Sequence, residues 1–471
     1  MSPTTLIQFS PKLAFLISAV IIAIMGVTMI GFGWVPHLSL VLAICFLLAI
    51  GLFKKLSFND MQAQMASGVM SGIGAIYLFF FIGLMIAALM MSGAIPTLMY
   101  VGFELISPEF YYISAFVLTS IIGVALGSSL TTAATLGVAF IGMSHAFDAN
   151  VAIAAGAVVS GAFFGDKMSP LSDTCTIASS VVGIDLFAHI RNMMYTTVPA
   201  WLLTVGLFWF FSGQTDGSNL DQVTVLQAQL IESGLVHSYA VLPFLLLVVL
   251  ALFRVNAIYT IISTIISALL ITYLHSTPSV EQLGGYFFAG YSPAASLELG
   301  EIGGILSRGG MQSMFFTQTI VILALSLGGL LNALGILPAL LAGIKEHLTS
   351  SGRAIFAAAM SALSINVLIG EQYLSLLISG TAFRSTFERL NLHPKNLSRT
   401  IEDAGTVINP LVPWSVCGVF ISQALGVPVL DYLPYAFFCY LSLLLTLIFG
   451  FTGLTISERD AADHELNTTQ S

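Results

Sequence analysis

Charge is what this sequence has least of: Asp, Glu, Lys and Arg make up 8% of its 471 residues. Soluble domains carry about a quarter charged residues, so this chain could not cover a soluble surface. With 57% hydrophobic residues and a mean hydropathy of +0.96, its expected solvent is a lipid bilayer. Cysteine is scarce as well. Cys45, Cys175, Cys417 and Cys439 lie in apolar or broken-helix segments, without CxxC or Cys/His spacing. They read as small buried apolar residues rather than metal ligands. No basic patch suggests nucleic acid, and a net charge of −9 over this length carries little meaning. Metal-ligand, nucleophile–base and phosphate-loop patterns are missing too, so an enzyme is disfavoured and no cofactor is expected.

Against that background the stretch Gly165-Asp166-Lys167-Met168-Ser169-Pro170-Leu171-Ser172-Asp173-Thr174 stands out inside an apolar segment from about Val151 to Val182. A charged side chain at mid-bilayer costs roughly 3 kcal/mol or more, so such residues persist where they bind or move an ion. Pro170 cannot donate a backbone hydrogen bond, and the helix is expected to break there. Transporters build ion sites from breaks of this kind.

Apolar stretches long enough to cross a bilayer fall near 13–32, 35–53, 68–92, 195–212, 237–253, 255–274, 313–343 and 431–453. The first is too long for a signal-peptide core and is expected to be a retained span. The runs 150–183 and 400–426 read as broken helices. Two more, 111–146 and 354–383, are interrupted at Gly127-Ser128-Ser129 and Gly370-Glu371-Gln372. Their halves count about 12–16 residues, short of the roughly 20 needed to span, so re-entrant hairpins are expected. Basic residues favour that arrangement under the positive-inside rule. Lys54, Lys55, Arg191, Arg254, Lys345, Arg353, Arg384, Arg389, Lys395 and Arg399 then all face the cytoplasm with the N-terminus, and Arg308 is the main exception. The loop 213–236, with Asp216, Asp221 and Glu232, falls outside.

An internal repeat agrees. Ser92-Gly93-Ala94-Ile95-Pro96 parallels Leu334-Gly335-Ile336-Leu337-Pro338, and Gly127 parallels Gly370. Gly137-Val138-Ala139-Phe140 parallels Gly380-Thr381-Ala382-Phe383, and Ser169-Pro170-Leu171 parallels Asn409-Pro410-Leu411, all at offsets of 240 to 243. The expected fold is an all-α polytopic membrane protein, an inverted-repeat secondary transporter with two broken helices and two re-entrant hairpins. Its units run 1–67 (N-terminal spans), 68–185 (first repeat core), 186–300 (linking spans and external loops), 301–428 (second repeat core) and 429–471 (last span and polar cytoplasmic tail).

Paired interruptions should meet near the midplane. The first unit offers Ser128, Ser129, Asp166, Ser169, Asp173 and Thr174; the second offers Asn366, Glu371, Thr406 and Asn409. A hard cation such as Na⁺ wants these carboxylate, hydroxyl, amide and freed carbonyl oxygens. Asp166 and Asp173 are the expected sodium ligands, and a carboxylate that holds a proton when no cation is present gives the minimal chemistry of an antiporter. Structural alternatives stay open: an Asp166–Lys167 ion pair, Asp173 as the cap of the second half-helix, and Ser128 and Ser129 as small packing residues. Glu371 has few nearby basic partners.

The stretch Gly161–Thr174 resembles the signature of NhaC-type Na⁺/H⁺ antiporters, as do Ser92-Gly93 with Ile95-Pro96, Ser307-Arg308-Gly309-Gly310-Met311 and Asn409-Pro410-Leu411-Val412-Pro413-Trp414. The resemblance implies a bacterial inner-membrane transporter of the ion-transporter type that exchanges Na⁺ (or Li⁺) for H⁺. Where family members follow the Asp-Thr pair with Thr-Asn, Cys175 and Thr176 stand here, so the resemblance carries no ligand to those two positions. Relatives that exchange malate and protons for lactate and Na⁺, or that move amino acids, keep a small organic acid open as a further solute. A homodimer stays open as well.

Overall fold

In lipid every backbone N–H and C=O must find a partner within its own segment or a closed sheet, so these apolar runs fold as helices. A computed structural model describes residues 6–212, 220–293, 300–345 and 348–459; Asp216 lies outside these, as do the side chains of Asp221 and Lys345. Among the described residues nine helices are long and apolar enough to cross a membrane, or up to eleven if each of two bent pairs is one span. The chain is an all-α, multi-pass membrane protein.

Several boundaries differ from those read off hydropathy. The 68–92 run is two helices, Phe58–Ser71 and Ile73–Met91. A Cβ at Gly68 would lie 2.2 Å from the Leu325 carbonyl oxygen, so that glycine lets the Phe58–Ser71 helix cross Phe315–Ala333 at backbone distance. The 313–343 run breaks at Gly335, whose φ of +69° suits glycine. The 237–253 run yields only a short apolar helix, Ser238–Leu252, and part of the loop 213–236 is helix, Leu220–Glu232.

The 195–212 run begins nine residues early, as Leu186–Ser212. Its first turns carry His189, Asn192 and Thr196, all buried. His189 Nδ1 shares a hydrogen bond with Ser398 Oγ (2.8 Å), and Asn192 donates to the Lys395 carbonyl (2.7 Å). This polar face is matched by the polar Pro394–Gly405 helix, and a hydropathy window sees no span there. His189 and Arg191 therefore lie within this helix, and Arg399, expected among the basic residues facing the cytoplasm, is buried in Pro394–Gly405. Arg308, the exception to the expected pattern of basic residues, donates to the Ala424 carbonyl (3.3 Å) at the C-terminal end of Val416–Leu425, where a cation meets the negative end of the helix.

Gly127 and Gly370 do interrupt their runs, both in the left-handed region. The halves are longer than counted from sequence: Pro108–Leu126 and Ser351–Ile369 are each 19 residues. Length therefore gives no argument for hairpins over spans. The elements of the two units follow one another in the same order. Ile73–Met91 and Phe315–Ala333 start 242 residues apart, Val151–Met168 and Pro394–Gly405 start 243 apart, and so do Asp173–Val182 and Val416–Leu425. At 243 the partner of Pro170 is Pro413 rather than Pro410, and the partner of Asp166 is Asn409.

Glycines bring the first break to the first interruption. Gly161 and Gly165 let Val151–Met168 lie against Tyr111–Leu126, where a Cβ on Gly165 would be 2.4 Å from the Gly123 Cα. Small residues allow such close approach between membrane helices. The last turn of Val151–Met168 thereby reaches the tip at Ser128-Ser129.

Candidate functional site

Asp166 lies in that last turn and is 5% exposed. A buried carboxylate needs donors, and those present are serine groups. Ser129 donates to Oδ2 through its hydroxyl (2.7 Å) and its backbone N–H (3.3 Å). Ser172 donates to Oδ1 (2.6 Å), and its hydroxyl also lies 2.9 Å from that of Thr174. Ser172 is the N-cap of Asp173–Val182, accepting from Cys175 N (3.4 Å). Asp173 is therefore not the cap. It sits exposed in the first turn, where the helix dipole favours a negative charge.

Lys167 does not pair with Asp166. Its ammonium forms a buried ion pair with Asp403 and donates to Ser442 Oγ (2.7 Å). Asp403 also accepts from Ser442 (2.6 Å), Thr196 (3.1 Å) and Thr446. That network ties together Val151–Met168, Leu186–Ser212, Pro394–Gly405 and Phe437–Thr452. With the lysine engaged, Asp166 has no cationic side chain of its own.

A cavity of about 350 Å³ opens beside Asp166. Its wall includes Ser128, Ser129, Thr131, Asp166, Asp173 and Thr174 from the first unit, Gln372 and Tyr373 from the second, and Arg254 and Asn256, which are exposed. Five expected site residues thus share one cavity. Ser128 takes part through the helix start, its hydroxyl accepting from Thr131 N (3.3 Å). Ser169 is turned away, donating to the Val124 carbonyl (2.7 Å) and accepting from Leu171 N (3.2 Å).

The remaining expected residues gather at the second break, and the cavity does not reach them. Asn409 donates through Nδ2 to Asn366 Oδ1 (2.9 Å) and the Gly370 carbonyl (3.3 Å), and its Oδ1 accepts from Cys417 N (3.0 Å). Asn366 in turn donates to the carbonyls of Ala404 (3.3 Å) and Gly405 at the end of Pro394–Gly405. Glu371 caps Gln372–Arg389, accepting from Leu374 N (2.7 Å), which gives this buried carboxylate a structural task. Thr406 is buried, with its hydroxyl beside the Glu402 carboxylate.

Reading the sequence missed Ser172, Glu402 and Asp403, with Thr196, Ser442 and Thr446. Glu402-Asp403 carries the same signal that singles out Asp166, two carboxylates inside a run that reads as a broken span. Thr196, Ser442 and Thr446 carry no signal of their own, since hydroxyls recur along membrane helices.

A profile of the Na⁺/H⁺ antiporter family matches residues 161–454. The Na⁺/H⁺ antiporter NhaC of Alkalihalophilus pseudofirmus is 39% identical over 447 residues, 95% of this chain and 96% of that one. NhaC of Bacillus subtilis is 39% identical over 425 residues, 88% and 92% of the two chains. The arginine/ornithine antiporter ArcD of Halobacterium salinarum is 34% identical over 411 residues, 86% and 84%.

Proposed function

The chain belongs to the Na⁺/H⁺ antiporter family, and we propose that it exchanges Na⁺ or Li⁺ for H⁺ across the bacterial inner membrane at Asp166. The observation that carries this reading is a buried carboxylate at a helix break, held only by serine donors and bordering a cavity. Ser129, Ser172 and Thr174 are neutral oxygens around it. A cation entering between them meets the carboxylate and hydroxyl set that a hard ion prefers. The same carboxylate holds either Na⁺ or H⁺, so each ion displaces the other. Asp173, exposed on the cavity wall, draws the cation inward.

In this reading the N-terminus is cytoplasmic and the two repeat units are inverted. Lys54, Lys55 and Arg254 at helix ends support this orientation. The cavity, reaching Arg254 and Asn256, then opens to the cytoplasm. Cysteines placed at Lys54 and Lys395 should label from the same, cytoplasmic side.

The test uses liposomes holding the full chain with an acidic interior. Adding Na⁺ or Li⁺ outside should dissipate the pH gradient, and K⁺ should not. A second reading, exchange of an organic solute coupled to Na⁺ or H⁺, draws on the 34% identity to ArcD and on Arg254 at the cavity wall, a partner for a carboxylate. Dissipation that requires malate, lactate or an amino acid on the opposite face would select it.

A further inference from the structure

We infer that Glu402, with Thr174 and Thr406, forms a second oxygen site for the transported cation, on the closed side of the Asp166 cavity. This rests on the assignment of Asp166 as the exchange site and extends it.

Glu402 is 0% exposed, and its carboxylate has no backbone N–H or cationic side chain bonded to it, only hydroxyls beside it. Such a group is expensive unless something is bound to it. Neither nearby cation bonds Glu402: Lys167 is bound to Asp403 and Ser442, and Arg399 donates through Nη1 to Thr455 Oγ1 (3.0 Å). What stands beside Glu402 is hydroxyl, from Thr174 and Thr406. The Thr406 hydroxyl has no partner other than Glu402, so a carboxylate and a hydroxyl face one another in a buried space. A carboxylate flanked by hydroxyl oxygens supplies a negative charge and oxygen ligands, which match a cation better than an anion.

The position fits a path. Asp166 Oδ1 takes the Ser172 hydroxyl at 2.6 Å, that hydroxyl lies 2.9 Å from Thr174, and Thr174 neighbours Glu402. Thr174 borders the cavity, whereas Glu402 is not among the lining residues. The threonine is thus a partition with one carboxylate on each side. Asp166 comes from the first unit and Glu402 from the second, at the end of Pro394–Gly405. A cation passing Thr174 exchanges one carboxylate for the other without leaving oxygen ligands.

Binding of radiolabelled Na⁺ to the purified full chain in detergent, at one fixed pH and with K⁺ as control, tests this. Glu402→Gln should weaken Na⁺ binding by about tenfold or more, since a buried charge–cation contact is lost. Glu402→Asp should recover part of it. Wild-type affinity in Glu402→Gln overturns the proposal. If that variant does not fold, Thr406→Val decides: it removes one hydroxyl at nearly constant volume and should bind Na⁺ a few-fold more weakly, on the order of one hydrogen-bond-sized contact, and unchanged affinity there overturns the proposal. Asp166→Asn is measured alongside. Wild-type Na⁺ binding in Asp166→Asn would sink the assignment of Asp166 itself, whereas loss there with unaltered Glu402→Gln sinks only the second site.

Discussion

The two helix breaks share a plan and differ in one atom type. Each lies before a serine-capped half-helix: Ser172 accepts from Cys175 N (3.4 Å), and Ser415 accepts from Gly418 N (2.9 Å). Asp166 and Asn409 sit 243 residues apart, at matching places relative to those caps. The amide of Asn409 both donates and accepts, and neighbouring backbone and Asn366 satisfy it fully. The carboxylate of Asp166, when ionised, can only accept, and it gathers hydroxyls beside a cavity. Asn409 is thereby closed on its own break, while Asp166 presents a carboxylate beside a cavity.

That contrast can be broken in order of expected effect. Within the first break, the proposed reading makes Lys167 structural and gives Asp166 the exchange. Lys167→Met should lower stability by roughly 3–5 kcal/mol because Asp403 is left buried and unpaired, and thermal unfolding in detergent measures it. Adding Asp403→Leu should restore much of the loss. Asp166→Asn should unfold near the wild-type temperature yet lose Na⁺-driven proton movement in liposomes by about a hundredfold or more, as expected when a buried charge–cation contact is removed. The reciprocal change, Asn409→Asp, strips the donor from Asn366 Oδ1 and the Gly370 carbonyl, and should cost about 1–3 kcal/mol in thermal unfolding without creating a second exchange site. Asp173→Asn should have the smallest effect, since the residue is exposed. A change of a few-fold at most in apparent Na⁺ affinity is expected, shrinking as choline chloride is added, because screening weakens steering by exposed charge.

Much of this was legible in the sequence. Charge scarcity gave the bilayer, Gly127 and Gly370 gave both interruptions, and Pro170 with its flanking carboxylates gave the first break. What was not legible has a common cause, polar faces that are buried against other polar faces. His189, Asn192 and Thr196 hid the start of Leu186–Ser212 because their partners lie on Pro394–Gly405. Lys167 has Asp166 as its chain neighbour, and only tertiary packing brings in Asp403 from 236 residues away. Ser169 looked like a ligand because it stands in the motif, but its hydroxyl serves the turn. The repeat was found at offsets near 240, yet the Pro170–Pro410 match hid the equivalence of Asp166 and Asn409, because the second break is longer than the first.

The central claim, that one carboxylate at the first break holds Na⁺ and H⁺ in turn, is tested most directly by proton release. Purified protein in weakly buffered detergent solution receives Na⁺ while a pH indicator is read. Wild type should release protons on Na⁺ addition and none on K⁺, with less Na⁺ needed as the starting pH rises, because fewer protons then compete for the site. Asp166→Asn should release none. Undiminished Na⁺-induced release from folded Asp166→Asn would contradict the account and move the exchange site away from the first break.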